Sequence, residues 1–157
     1  HCGSVDCSSG NTRTSIANTS PVGGYGVVAA GNDGLPMVAY LRGGLLLSRH
    51  CGSVDCTTGN VDGLPAGDVR GSELSLAIGV DGRPAIAYRA EGRLQFVRCS
   101  EVTCSPPAIP VTVDDPGSPV GGFVSLAVSA DGFPIMAHYD AAADRLRVTK
   151  CDSRSCS

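Results

Sequence analysis

The chain has 157 residues, a hydrophobic content of 42%, an aromatic content of 4% and a formal net charge of −3. This composition excludes a disordered chain and predicts a single domain with a core of Val, Leu, Ile and Ala. The sequence lacks an apolar run of the ~18 residues that a membrane span needs, and its 12 basic residues are scattered. We therefore expect neither a membrane nor a nucleic acid as a partner.

One pattern recurs three times, at intervals of roughly 50 residues. Each copy has alternating small and apolar residues, then Asp-Gly-x-Pro, then two residues and Ala-Tyr or Ala-His. The copies are GVVAAGNDGLPMVAY (26–40), LSLAIGVDGRPAIAY (74–88) and VSLAVSADGFPIMAH (124–138). We interpret the chain as a single repeat domain, 1–157, with units at 1–22 (a terminal fourth strand alone), 23–71, 72–120 and 121–157.

Short strands follow one another in the same order in each unit. In chain order, the pattern predicts a lone fourth strand at Thr12–Ile16, a weak fourth strand at Asn60–Leu64, and a complete middle unit with strands at Leu74–Ile78, Ala85–Arg89, Leu94–Cys99 and Ala108–Val113. Asp81-Gly82 predicts a turn between the first two strands of that unit, because glycine tolerates positive φ. The last unit, Phe123 to Cys156, has only three predicted strands. Helical periodicity with caps is missing throughout the sequence.

All eight cysteines fall into pairs with four residues between them, and the segment HCGSVDC at the start of the chain recurs at 50–56. The pairs are Cys2 and Cys7, Cys51 and Cys56, Cys99 and Cys104, and Cys151 and Cys156. Zinc sites and redox pairs favour two intervening residues, whereas a disulfide across a four-residue turn satisfies the Cα separation of ~5.5 Å. We therefore predict four hairpin disulfides.

An even number of paired cysteines is typical of proteins that fold in an oxidising compartment. We expect an extracellular or cell-surface location. The chain opens on His1 and shows no leader-like segment, so we expect either that a leader has been removed or that the chain is a piece of a longer protein.

Four short antiparallel strands in about 45 residues are typical of a β-propeller blade, and a linear stack of sheets is the alternative. The predicted fold is thus all-β, with tandem four-stranded antiparallel blades. The chain resembles secreted bacterial β-propeller-like repeat proteins, which carry strands of the type SLAIGxDGxPxIAY followed by a C-x4-C hairpin. This resemblance covers the chain from Gly24 to Cys156 and implies an architecture without implying an activity.

Three blades are too few to close a ring, because propellers have at least four. The last unit lacks a fourth strand, and the first residues of the chain resemble one. Two copies could therefore exchange strands in a six-bladed ring, or many copies could form a fibre. Alternatively, further repeats could complete the array. An incomplete blade has an unpaired edge that soluble proteins avoid. We therefore expect other copies of the chain to be its partners.

Candidate site residues are few. Tyr40, Tyr88 and His138 share one repeat position and could line a ligand groove, or pack between blades. The turn residues Asp33, Asp81 and Asp131 could bind calcium, but a turn carboxylate that caps backbone N–H groups is favoured, because each turn offers one carboxylate. We predict neither a metal nor a cofactor.

Catalysis is not expected, because the cysteines are all committed to pairs and nucleophile motifs are missing. Asp114, Asp115, Asp140 and Asp144 could supply paired carboxylates for glycoside hydrolysis, but the sequence places no two of them together. The sequence favours an extracellular structural or assembly module. The alternative is a carbohydrate- or protein-binding, lectin-like module, although a glycan site favours exposed aromatics and the chain has no Trp and 4 Tyr.

Overall fold

The computed structural model describes residues 1–17, 22–68, 71–105, 108–117 and 119–157. Within these ranges the protein is all-β, and its strands form three separate antiparallel sheets. The sheets close neither a barrel nor a propeller ring in the part of the chain that is described. None of the described residues belongs to a helix that could cross a membrane.

Each sheet is a meander in which consecutive strands are neighbours. The first sheet contains β1 (Val22–Ala30), β2 (Pro36–Arg42), β3 (Leu45–His50) and β4 (Val61–Asp68). The second contains β5 (Gly71–Ile78), β6 (Pro84–Ala90), β7 (Arg93–Arg98) and β8 (Val111–Asp114). The third contains β9 (Gly122–Val128), β10 (Pro134–Asp140) and β11 (Arg145–Lys150). The prediction of four strands in the first two units and three in the last unit is confirmed.

The fourth strands differ from their predicted bounds. β4 is eight residues long although Asn60–Leu64 is a weak strand pattern, because pairing with β3 supplies backbone hydrogen bonds regardless of propensity. The predicted strand Thr12–Ile16 is wrong, since none of its residues is in a strand. Only Thr12 pairs, exchanging hydrogen bonds with His1 at 3.0 and 3.2 Å, and the described residues offer no counterpart of β3 beside 13–16.

Neighbouring sheets bury apolar faces against each other. We call the face of a sheet that meets the following sheet its front face, and the face that meets the preceding sheet its back face. The front face of the first sheet packs on the back face of the second through Ala39, Leu41 and Leu46 against Leu74, Ile86, Tyr88 and Val97. The front face of the second packs on the back face of the third through Ala85, Ala87, Leu94 and Phe96 against Leu126 and Met136.

The first strands of the three sheets lie next to one another, since β1 contacts β5 and β5 contacts β9. Each is interrupted by a bulge at the same repeat position, and the residues there are Tyr25, Glu73 and Phe123. Glu73 has a φ of 55° and Phe123 a φ of 52°. Left-handed backbone is unfavourable for residues that carry a Cβ, so the strands are strained at these two bulges.

Replacing Phe123 with glycine is expected to stabilise the protein. Glycine adopts positive φ without the Cβ penalty of about 1 kcal/mol, and the Phe123 side chain is 84% exposed, so little burial is lost. For a domain of this size the gain corresponds to a rise in Tm of roughly 2–4 °C, measurable by thermal unfolding. A lower Tm would show that the aromatic ring contributes more than the strained backbone costs.

Candidate functional site

The three residues that share the tyrosine-or-histidine position lie on the back faces of their sheets. Tyr88 is buried between the first two sheets, and burial raises its pKa to about 12. Tyr40 is buried on the back face of the first sheet, where Ser15, Ile16 and other residues form a shallow pocket with it. His138 is buried against the second sheet. These residues therefore lie at the two sheet boundaries and on the outer back face of the first sheet rather than in one groove, and ligand binding by them stays a prediction.

His138 belongs to a charged network that joins the second and third sheets. Its Nε2–H donates to Asp114 Oδ2 on β8 at 2.9 Å, and the same oxygen lies 3.1 Å from Arg147 Nε on β11. Arg147 also donates to Asp140 Oδ2 at 3.1 Å. The backbone N–H of Ala143 and the Arg147 guanidinium hold the pKa of Asp140 below its usual value, against the opposing effect of burial. The network therefore links β8 of the second sheet to β10 and β11 of the third by charged hydrogen bonds.

The network brings together two of the carboxylates that the sequence leaves unplaced. Asp114 and Asp140 approach each other through Arg147, which lies between them. Asp115 pairs with Arg93 at 2.7 Å, and Asp144 accepts a hydrogen bond from the Tyr139 hydroxyl at 2.6 Å. Each carboxylate thus has a structural partner, and the sequence contains no spacing that could have predicted the Asp114–His138 contact.

The turn aspartates cap the backbone, as predicted. Asp33 accepts from the Leu35 N–H at 3.0 Å and Asp81 from the Arg83 N–H at 3.2 Å, and Asp131 makes the corresponding bond to Phe133. Each of these aspartates also has a second partner that was not predicted, the basic residue immediately before Cys51, Cys99 or Cys151. These pairs are Asp33 with His50, Asp81 with Arg98, and Asp131 with Lys150.

These two contacts act in the same direction on the turn carboxylates. The Leu35 N–H and His50 hold the pKa of Asp33 below its ordinary value although burial opposes them. For Asp131 the Ser129 hydroxyl, Lys150 and the Phe133 N–H also lower the pKa. Among the residues that the structure describes, no group of three metal-ligating side chains occurs. In the structure these aspartates hold the turn through the backbone N–H groups that they cap.

All four predicted disulfides are present, with Cα separations between 4.8 and 5.0 Å. They close compact loops rather than joining two paired strands, which corrects the predicted hairpin. Cys51 follows β3 directly, but β4 begins only at Val61, and Cys56 has a φ of 55°. The bonds support the expectation of an oxidising environment.

The two HCGSVDC loops share an internal hydrogen-bond pattern. Asp55 Oδ1 accepts from the hydroxyls of Ser53 and Thr57 at 2.7 and 2.8 Å, and the matching bonds to Ser4 and Ser8 lower the pKa of Asp6 to about 2. A Cβ on Gly52 would lie 2.4 Å from the carbonyl oxygen of Gly59. The loops therefore need glycine at this position to fold back on themselves.

Removing the Cys99–Cys104 bond by a double alanine substitution should lower the free energy of unfolding by at least about 2 kcal/mol, because a loop of six residues is released in the unfolded state. Both cysteines are buried beside Met37 of the first sheet. The same substitution at Cys2 and Cys7, which are exposed, is the matched control and should cost less. Chemical denaturation measures the free energy of unfolding of both variants. An equal decrease in the two variants would show that the packing of the buried loop contributes nothing.

The front face of the third sheet is uncovered. Leu146 stands at the repeat position of Leu46 and Leu94, which are both 0% exposed, and is itself 72% exposed. Val148, at the position of Phe96, is 67% exposed. β11 is paired on only one side among the described strands. The third sheet thus presents, without a partner, the kind of surface that the other two sheets bury.

The back face of the first sheet is open in part. Val28 stands at the repeat position of Leu76, which packs against the core between the first two sheets, but Val28 is 67% exposed. Residues of the N-terminal segment border the rest of this face, where Thr14 Oγ1 donates to the Asp55 carbonyl oxygen at 2.7 Å.

This segment lies where the fourth strand of a preceding sheet would lie. At the next boundary Gly63, the repeat counterpart of Thr14, is packed so closely on Cys104 that a Cβ would lie 2.5 Å from the Cys104 carbonyl oxygen. Thr14 contacts the corresponding loop of the first unit through the hydrogen bond from its side chain to Asp55. The N-terminal segment therefore lies against a loop of the first unit as β4 lies against the loop of the second unit, although it forms no strand there.

No family model matches the chain, and none of the curated proteins is significantly similar to it.

Proposed function

We propose that this chain is an extracellular structural module whose copies associate head to tail. The front face of the third sheet in one copy packs on the back face of the first sheet in the next, in the manner of consecutive blades of a β-propeller-like array. The observation that carries this proposal is the exposure of Leu146 and Val148 at positions that are buried in both preceding sheets. The disulfide-closed loops suit a secreted protein that holds its shape outside the cell.

A second copy is the partner whose surface fits. The open back face of the first sheet, around Val28 and Val38, corresponds residue by residue to the back face of the second sheet, which already packs on a front face of this kind. The N-terminal segment would lie beside the unpaired edge of β11 and shield its backbone groups from water. Apolar burial and strand-edge pairing would act together at one junction.

The proposed junction requires one loop to move. The Cys2–Cys7 loop of one copy and the Cys151–Cys156 loop of the other occupy the same repeat position. Cys2 and Cys7 are exposed, whereas Cys151 is buried in the core between the second and third sheets. Displacing the N-terminal loop therefore costs little buried surface, and it is the loop that moves aside.

The two faces differ from each other, so the contact is heterologous and generates a ring if the rotation between copies closes and a fibre if it does not. We expect the sedimentation coefficient of the wild-type protein to rise with concentration. A Leu146→Asp/Val148→Asp variant should stay monomeric, because a charge cannot be buried unpaired at the junction. Ile109→Asp, which changes a residue that is 88% exposed away from either face, is the matched control.

Mixing two defective variants tests the head-to-tail geometry itself. Val28→Asp damages only the back face, and the double variant damages only the front face. Each should be monomeric alone, and a mixture should form a dimer and nothing larger, since one intact face remains on each partner. A wild-type chain that sediments as a monomer at every accessible concentration, or a mixture that shows no dimer, would contradict the proposal. Negative-stain microscopy of the wild type then separates rings from fibres.

A further inference from the structure

The three bulged residues converge on a groove that the assembly proposal does not use. Tyr25, Glu73 and Phe123 come from three different sheets and line one groove with a volume of about 360 Å³. Glycine and aliphatic residues from the same three strands complete the lining, and they are Gly24, Gly26, Val27, Leu74 and Val124. The groove therefore lies where the first strands of the sheets meet.

The bulges direct these side chains. A bulge places two or more residues of one strand opposite a single residue of its partner, which bends the strand and turns a side chain that would otherwise alternate with its neighbours. The same repeat position is bulged in all three sheets, and Glu73 and Phe123 adopt left-handed backbone there. Backbone strain of this kind, held at one position in successive units, is found at ligand sites in many proteins.

The chemistry of the groove is that of a cation site. Among the lining residues that the structure describes, Glu73 alone is charged and none is basic. The contact described for Glu73 is with the backbone N–H of Phe123, which donates to Oε2, so the charge of the carboxylate is not cancelled by that bond. Two exposed aromatic rings flank it, with Tyr25 46% and Phe123 84% accessible. Aromatic faces and a carboxylate both attract a positive charge.

The apolar lining narrows the class of cation. A hydrated metal ion would find few oxygen ligands among the described lining residues. A neutral sugar would need several hydrogen-bonding side chains, and the described lining supplies those of Tyr25 and Glu73 alone. A substituted ammonium group carries its charge on an apolar surface and suits aromatic and aliphatic contacts. We infer that the groove formed by Tyr25, Glu73 and Phe123 binds an organic cation of the substituted-ammonium class.

Choline chloride is a suitable probe, and its neutral isostere 3,3-dimethylbutan-1-ol has the same shape without the charge. In a nitrogen-15 NMR titration of the full chain at constant ionic strength, choline should shift the amide resonances of Tyr25, Glu73 and Phe123. The isostere should bind at least about tenfold more weakly, since it lacks the attraction between the cation and the rings and carboxylate. Equal binding of choline and its isostere would overturn the inference.

Two substitutions locate the site. Glu73→Gln should weaken choline binding at least about tenfold, and Phe123→Leu should weaken it severalfold. Glu91→Gln is the matched control, because Glu91 also has a positive φ and is exposed but does not line the groove, and it should bind choline like the wild type. Circular dichroism verifies that each variant is folded. Binding unchanged by Glu73→Gln, or binding of a neutral disaccharide with none of choline, would show that the groove is not a cation site.

Discussion

Replacing Leu94 with alanine is expected to lower the free energy of unfolding by about 3 kcal/mol, whereas the same replacement of Leu146 should change it by less than ~0.5 kcal/mol in dilute solution. The two leucines occupy one repeat position, but Leu94 is fully buried between the second and third sheets and Leu146 is exposed. Removing Leu94 leaves a cavity among Phe96, Leu126 and Met136, and a cavity adds to the lost transfer energy. Urea denaturation at low protein concentration measures the free energy of unfolding of both alanine variants.

Two further measurements sharpen this comparison. Leu46→Ala, at the equivalent buried position of the first sheet, should cost as much as Leu94→Ala. If copies associate, the stability of the wild-type protein should rise with protein concentration, because binding of a second copy stabilises only the folded state. The Leu146→Ala variant should lose this concentration dependence. Equal costs at Leu94 and Leu146 in dilute solution would mean that the front face of the third sheet is covered within a single chain.

Replacing Asp114 with alanine is expected to cost about 3 kcal/mol, because it leaves the buried imidazole of His138 and the Arg147 guanidinium without their common acceptor. The neighbouring Asp115 is the matched control. Its ion pair with Arg93 is short, at 2.7 Å, but both side chains are well exposed, so Asp115→Ala should cost less than about 1 kcal/mol.

Chemical denaturation of the Asp114 and Asp115 variants decides this prediction. A His138→Tyr change restores the residue that the first two units carry at this position and removes the need for the carboxylate. Combined with Asp114→Ala, it should cost less than the two single substitutions added together, since the residues share one interaction. Additive costs, or equal losses at Asp114 and Asp115, would show that the charged network does not hold the second and third sheets together.

The local features of this protein could be predicted because short-range chemistry decides them. The Asp-Gly turns depend on glycine at positive φ and on a carboxylate two residues from the N–H it caps, as in Asp81 and Arg83. The disulfides depend on cysteines that can meet across a short loop, as Cys51 and Cys56 do. Both are complete within a few residues, so each copy of the repeat reproduces them.

The strand bounds were predicted less well where pairing outweighs local pattern. β4 forms from Val61 to Asp68, through two glycines and a proline, because β3 lies beside it. Thr12–Ile16 has a more ordinary strand composition and forms no strand, because its backbone meets a partner only at His1. Strand propensity describes how well a side chain fits a sheet and does not supply the neighbouring strand.

The sequence by itself determined three units of alternating apolar residues, their turns and their disulfide-closed loops, because those follow from residues close together in the chain. The tertiary structure alone decided which copy of a repeated residue is buried. It covers Leu94 and exposes Leu146, places Asp114 against His138, and brings Tyr25, Glu73 and Phe123 into one groove. The physical reason is that the same local sequence gives the same local backbone in each unit. Which side chains are buried, which charges pair and which residues meet in a groove depend instead on the sheet that lies next to that unit.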